Sequence, residues 1–441
     1  MKITAKIAVL IMLGSGLAAG GCAKKHFNSW NYIEDPEVSI QLKDFVAQKM
    51  AQANSATNEP APGFAPYFAA AQKGDWLTVS NLFKDFANHA PQYQHSGTND
   101  ARLSGTTWAA VAEIWGALDA FGEGDQKYSA IYADDIIQPI PPGSIYFGGT
   151  DQGRFIVTAM QKSQTDGDPF FTLTQNALAD ASYLDYLRSM YGDKICIPTA
   201  EDSRRCFQEY KDDAKERLLN HQLKKGENIK LGSDGDVQIG GVVAVMEINA
   251  LLAKIILEKN PNHEFYLQQS FPMDWTYPCL EPHGLIFKLN REPLAELPDD
   301  VLQSDHAYWA KTVTPMIGDW LNSQTSLADV AAFDEKVFLQ HDYSGFEGDP
   351  HFIENKFTTR TFSWERSNIA DLYLWRINHA TTADKKESLA QEADFAFRQA
   401  LALDPYLLKT VNSYRDFLKS QNREADVLLL DKMAREFRKR K

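Results

Sequence analysis

What this chain has little of narrows it quickly. Four cysteines in 441 residues are too few for a small scaffold built on disulfides. No Gly-x-Ser-x-Gly elbow and no His-Glu-x-x-His pair occurs, so two legible hydrolase signatures are missing. The Gly-x-Gly-x-x-Gly fingerprint and the Walker lysine are absent too, and no cofactor is expected. His341 with Asp342, and Asp234 with Asp236, stand without the further ligands that zinc or calcium needs, so no metal is expected. Positive charge is scarce: 45 Lys and Arg against 59 Asp and Glu leave a net −14. That balance excludes a nucleic-acid partner, which requires a basic surface. The basic tail REFRKRK, with Arg435, Arg438, Lys439, Arg440 and Lys441, reads as a solvated helix end. No apolar run is long enough to span a bilayer comfortably.

What is present is a chain rich enough in apolar residues, 44% with 12% aromatic, to build substantial cores. Its length points to two or three domains. Lys2 and Lys6 precede an apolar run from Ile7 to Ala19, then small residues and Cys22, the pattern of a secretory signal. The segment LAAGGC is similar to a bacterial lipobox, with Ala19 where leucine is usual. Lipidation of Cys22 would tether the mature protein to a membrane, with plain secretion as the alternative. Ala23 and Lys24 carry no aspartate retention signal, which favours an outer-membrane address in a host with two membranes. Outside the cytoplasm Cys196 and Cys206 can close a small loop around CIPTAEDSRRC; two ordinary buried thiols are the alternative. Cys279, beside Tyr277 and Pro278, reads as a buried thiol.

Organisation follows from the patterning. Residues 1–22 are the signal with its cysteine, and residues 23–135 a helical segment. It holds a helix from Pro36 to Ala53, a Pro-rich break, two short helices over 66–87 split at KGDW, and a helix from Thr107 to Phe121. Residues 136–295 form an α/β domain with a mainly parallel, Rossmann-like sheet. Its strands are SIYFGG, DPFFTLT, EFYLQQS and GLIFKLN, with helices at GRFIVTAMQKS, at NALADASYLDYLRSMYG ending at Gly192, and from Val242 to Lys259. A loop-rich insert holds both Cys196 and Cys206 and the charged run from Glu209 to Lys225. Residues 296–441 are helical again. Ala393, Phe397, Ala400 and Pro405 have the spacing of a tetratricopeptide second helix, and Ala434 follows Ala400 by one such period.

The segments GSIYFGGTDQGRF, DPFFTLTQNALADASYLDYLRSMYG and NHEFYLQQSFPMDWTYPCLEPHGLIFKLNREP resemble a bacterial family of uncharacterised exported proteins. That family shares a GGTD-x-GRF turn, an NALAD-x-x-Y helix start, a YP-x-LEPHGLI segment and tetratricopeptide-like C-terminal helices. More remotely, residues 143–290 are similar to the soluble extracytoplasmic part of membrane proteins related to protein O-mannosyltransferases. The transmembrane part that carries their chemistry has no counterpart here. The resemblance implies an α/β accessory domain and transfers no activity.

Two sets of residues are candidates for a site. Gly148 and Gly149 permit close backbone approach, Thr150 or Asp151 can cap the following helix, and Arg154 can supply charge to an anionic or sugar ligand. Gln175 and Asn176 follow the second strand, and Asp180, placed one turn into the next helix, can face the same crevice. A capped turn is the simpler reading. The second set is Asp274, Trp275, Tyr277, Glu281 and His283: carboxylates with a histidine suit acid–base work, and the aromatics suit sugar stacking. A structural loop is again the alternative.

The whole reads as a lipid-anchored, extracytoplasmic binding or assembly module of the bacterial envelope. It would hold a protein partner on its C-terminal helices and can take a glycan or glycolipid at the strand-end crevice. The alternatives are a glycan-modifying enzyme working at Asp151 and Arg154, and a pure interaction scaffold. No catalytic residue is assigned.

Overall fold

Helix boundaries in this protein follow local chemistry closely. The computed structural model describes residues 29–55, 63–89, 105–149, 152–161, 169–232 and 236–440. The signal region with Cys22, the pair Thr150 and Asp151, and Asp234 lie outside them. The described chain is mostly helical, with a five-stranded sheet in the order β2-β1-β5-β7-β6: β1 (Ile145–Gly148), β2 (Phe171–Thr174), β5 (Phe265–Leu267), β6 (Leu280–His283) and β7 (Ile286–Leu289). A separate antiparallel pair joins β3 (Asn228–Leu231) to β4 (Val237–Gly240).

The sheet corrects the expectation of a mainly parallel, Rossmann-like core. β1 and β2 are parallel, but β5 with β7 and β6 with β7 are antiparallel, so the sheet is mixed. The expected connection through LEPHG is the β6–β7 hairpin. Gly284, at φ +66°, supplies the left-handed residue its tight turn needs. Pro282 is tolerated because β6 lies at a sheet edge. The DWTYPC segment before it is a 3₁₀ turn, Asp274–Cys279.

The chain divides into two compact units, each drawn from separated stretches. The first comprises the described residues within Met1–Gly122, Ile140–Phe265 and Ser270–Met273. Its helices are α1 (Pro36–Ser55), α2 (Phe64–Lys73), α3 (Trp76–His89), α4 (Gly105–Glu123, all but its last residue), α6 (Gln152–Met160), α7 (Ala181–Tyr191), α8 (Ala200–Leu219) and α9 (Val242–Lys259). The KGDW break is real: Gly74, at φ +70°, ends α2, and Asp75 accepts from the backbone N–H and hydroxyl of Thr78 at the start of α3. Phe83 stacks on Trp115, 4.3 Å between centroids, so these aromatics are core.

α8 replaces the expected loop-rich insert. Thr199 and Asp202 form a reciprocal capping box at its start, and Asp202, Cys206, Tyr210 and Ala214 are buried at four-residue spacing on one face. The expected Cys196–Cys206 bridge is not there: both thiols are free, Cys196 exposed before the helix and Cys206 buried within it. The backbone around Cys196 is instead held by Asn260, which accepts from its N–H at 2.7 Å and donates to its carbonyl at 3.0 Å.

The second unit comprises Glu123–Pro139, Tyr266–Gln269 and the described residues within Asp274–Lys441. Besides most of β5 and the β6–β7 hairpin it holds α5 (Gln126–Ile137), α10 (Asp299–Ile317), α11 (Leu327–Asp334), α12 (Pro350–Glu354), α13 (Lys356–His379), α14 (Ala383–Leu403), α15 (Leu408–Ser420) and α16 (Glu424–Lys439). α13 through α16 pack in succession, with Ala393, Ala396 and Ala400 fully buried to let helices approach. α13 is enclosed over most of its length. Trp364 Nε1 and Asn368 Nδ2 donate to the Gln269 carbonyl at 3.2 and 2.9 Å, so the strand end after β5 occupies that face. Arg376 ties the hairpin to the same helix through the carbonyls of Leu294, Pro278 and Leu280.

Candidate functional site

Around β1 and β2 the backbone needs an unusually close turn. A Cβ on Gly148 would sit 2.9 Å from the Gly153 carbonyl oxygen and 3.1 Å from Arg154 Cα. The glycine is therefore there so that strand β1 can approach the first turn of α6, a packing reason that needs no ligand. Tyr146 adds to it, donating its hydroxyl to the same Gly153 carbonyl at 2.6 Å. Gly149 is buried; Thr150 and Asp151, the residues that would decide between cap and ligand contact, fall outside the described residues.

Arg154 points inward. Its side chain is 1% exposed, its Nε donates to Thr174 Oγ1 at 2.7 Å, and one Nη pairs with Glu113 of α4. The other Nη is buried with no hydrogen-bond partner among the described residues. Glu113 is shared: Lys49 Nζ of α1 lies 2.5 Å from Oε2, and Tyr186 of α7 donates to the same oxygen at 2.7 Å. Four helices thus meet at one carboxylate. Burial alone would raise the Glu113 pKa, but Arg154 and Lys49 together hold it below the ordinary carboxylate range. Burial pushes the Lys49 ammonium down despite Glu113. For Arg154, Glu113 outweighs burial and the cation is retained. The expected role of Arg154 as a charge offered to a crevice does not match this placement.

The edge of β2 is closed by side chains. Thr174 N–H donates to Tyr183 OH at 2.7 Å; Thr172 N–H donates to Tyr191 OH at 3.2 Å, and that hydroxyl donates back to the Thr172 carbonyl at 3.0 Å. Two tyrosines of α7 therefore satisfy an edge strand that would otherwise pair with another chain. Sequence reasoning did not single them out, although their eight-residue spacing puts both on one helix face.

Gln175 and Asn176 are buried in a 3₁₀ turn. Asn176 Nδ2 donates to Ser270 Oγ at 2.9 Å, and Asn249 of α9 clamps the turn from both sides, donating to the Asn176 carbonyl and accepting from Ala179 N–H. Asp180 is not one turn into α7 but its N-cap, accepting from Ser182 N–H at 2.8 Å. Gly148, Arg154, Gln175, Asn176 and Asp180 thus belong to one unit, where Asn176 and Asp180 hold turns and a helix start and Arg154 is paired with Glu113.

The second candidate set belongs to the other unit. Tyr277 OH accepts from Gln269 Nε2 at 2.9 Å, its ring lies 5.9 Å from Trp375, and burial pushes its pKa up to about 12. Glu281 and His283 share a face of β6, with Glu281 opposite Lys288 and His283 packed 5.0 Å from the Tyr266 ring. His283 Nε2 lies 3.2 Å from the Pro139 carbonyl, and Asp274 and Trp275 sit in the 3₁₀ turn. Glu281 and His283 stand on one strand face, while Tyr277 is drawn away to Gln269.

The second unit also holds a buried network that sequence reasoning missed. Arg366 donates to Asp305 Oδ2 at 2.7 Å and to Gln399 Oε1 at 2.8 Å, and Tyr373 donates to Asp305 at 2.6 Å. Asp305 with Trp309, and Arg366 with Tyr373, recur at helical spacing, a signal that amphipathicity alone assigns to packing. Among the described residues no group of three His, Cys, Asp or Glu side chains is gathered as a metal would require, and no helix is long and apolar enough to cross a membrane.

Comparison with known proteins returns no match: no family model, no curated protein and no solved structure matches the chain.

Proposed function

We propose that the protein is a binding or assembly module of the bacterial cell envelope, tethered by lipid on Cys22 and holding a partner protein on its last helical hairpin. The observation that carries the reading is the internal commitment of Arg154, Glu113 and Lys49: among the described residues beside β1 and β2, these three charges are paired with one another. An enzyme working at that strand end would have to use an arginine already paired with a buried glutamate.

The last hairpin supplies what a partner needs. With α13 enclosed by its own unit, the exposed face of α15 carries Leu408, 43% exposed, with Asn412, Asp416 and Lys419 at helical spacing. The tetratricopeptide-like pattern of Ala393, Phe397, Ala400 and Pro405 supports the same use, since such helices present surfaces to other chains. The anchoring half of the proposal is tested by metabolic labelling with an alkyne fatty acid and membrane fractionation. The intact chain should take label and sediment with membranes, and Cys22→Ala should do neither. Labelled or membrane-bound Cys22→Ala protein would refute the tether.

A further inference from the structure

The C-terminal hairpin holds a second feature, independent of the envelope reading. Between α15 and α16 lies a recess of about 170 Å³ lined by Arg415, Asp431, Ala434, Arg435 and Arg438. Asp431, Ala434, Arg435 and Arg438 fall on one face of α16, three or four residues apart, and Arg415 reaches in from α15. Ala434 is buried and forms the floor, its small side chain leaving the space open. In a chain of net charge −14, three arginines lining one recess, two of them exposed, run against the overall field.

Of the three, Arg415 is paired within the recess. Arg415 donates through Nε to Asp431 at 2.7 Å and through Nη1 to Asn412 at 2.8 Å, which fixes its plane and leaves Nη2 available. That bond also occupies the carboxylate in the recess. Arg435 and Arg438 make no ion pair or hydrogen bond among the described residues. By contrast Lys439, on the same helix, is paired with Glu436 at 2.9 Å. A planar fork held in place, flanked by two unpaired forks, matches the several oxygens of a phosphate better than a single carboxylate.

We infer that the recess is a binding site for a phosphate group, carried either by a small soluble ester or by a lipid headgroup. The test is isothermal titration of the full chain in detergent at constant ionic strength. The probes are inorganic phosphate, glycerol 3-phosphate and dihexanoyl phosphatidylglycerol below its micelle threshold. Saturable binding of at least one probe is expected. The double variant Arg435→Gln/Arg438→Gln should weaken it tenfold or more. Lys432→Gln/Lys439→Gln, which removes the same charge outside the recess, should leave it within twofold. Binding of the two soluble phosphates assigns the site to a soluble ester, and binding of the lipid alone assigns it to a headgroup. No saturable binding of any probe, or equal weakening in both double variants, would overturn the site and leave the arginines as cations complementing a helix C-terminus.

Discussion

Lys49 Nζ lies 2.5 Å from Glu113 Oε2, with neither side chain more than 5% exposed, and the same carboxylate pairs with Arg154. Two cations and one anion share a buried site. The arrangement links α1, α4 and α6, with Tyr186 of α7 as the fourth contact. Desolvating such groups is costly, and the arrangement is tolerable only because each partner is in place.

Removing the shared anion should therefore be severe. Glu113→Gln leaves two buried cations uncompensated and is expected to cost about 3–5 kcal/mol in urea unfolding. The triple variant Lys49→Met/Glu113→Leu/Arg154→Met removes every charge at once and should recover most of that loss. A triple variant no more stable than Glu113→Gln would contradict the electrostatic account.

The tyrosine closure of β2 makes a smaller, local prediction. Tyr183→Phe leaves the Thr174 N–H buried without its acceptor, so a loss of about 1–3 kcal/mol is expected. Tyr191→Phe should do the same at Thr172, and the double variant should self-associate through the opened edge. Sedimentation velocity with denaturant titration checks both.

Asp334, at the end of α11, carries a pH dependence of definite sign. Burial, reinforced by Asp404, raises its pKa well above the ordinary value, and neither carboxylate oxygen is hydrogen-bonded among the described residues. A raised folded-state pKa means that its stabilising contribution is full below about pH 4 and is lost as pH rises through the folded value. Asp334→Asn should thus match the wild type near pH 4 and exceed it at pH 8 by more than about 1 kcal/mol. Parallel stability curves for the two proteins would rule the idea out.

Thiol chemistry tests the helix found where a disulfide loop was expected. Cys196 is exposed, whereas burial pushes the Cys206 thiol up to about 11 and raises Cys279 likewise. In the protein purified without reductant, a maleimide should label Cys196 at once and the other two only on unfolding. Protection of Cys196 that reductant relieves would restore the bridge.

Much of the helical framework was legible because its signals are local. α9 runs over the expected Val242–Lys259, an apolar stretch with helical period. The mixed sheet was not legible, since strand direction is set by pairing with residues distant in the chain and leaves no mark on a strand's own composition. β6 was hidden by Pro282, which only an edge position excuses. α8 was hidden by its charge, although the capping pair Thr199 and Asp202 and the spacing of Cys206, Tyr210 and Ala214 were there to be read. As for the candidate site, the turn at Gly148 was found but the fate of Arg154 was not. Nothing near Arg154 in sequence announces Glu113 or Lys49, so a paired core arginine and an open ligand contact look alike.

The most direct test of partner binding is site-specific photo-crosslinking in intact host cells. A photoreactive residue would replace Asn412 or Asp416 on the exposed face of α15, with Lys386 on the exposed start of α14 as the comparison. The account predicts one discrete protein adduct from both α15 positions and none from Lys386. No discrete adduct from α15, or the same adduct from Lys386, would contradict a partner surface on the last hairpin.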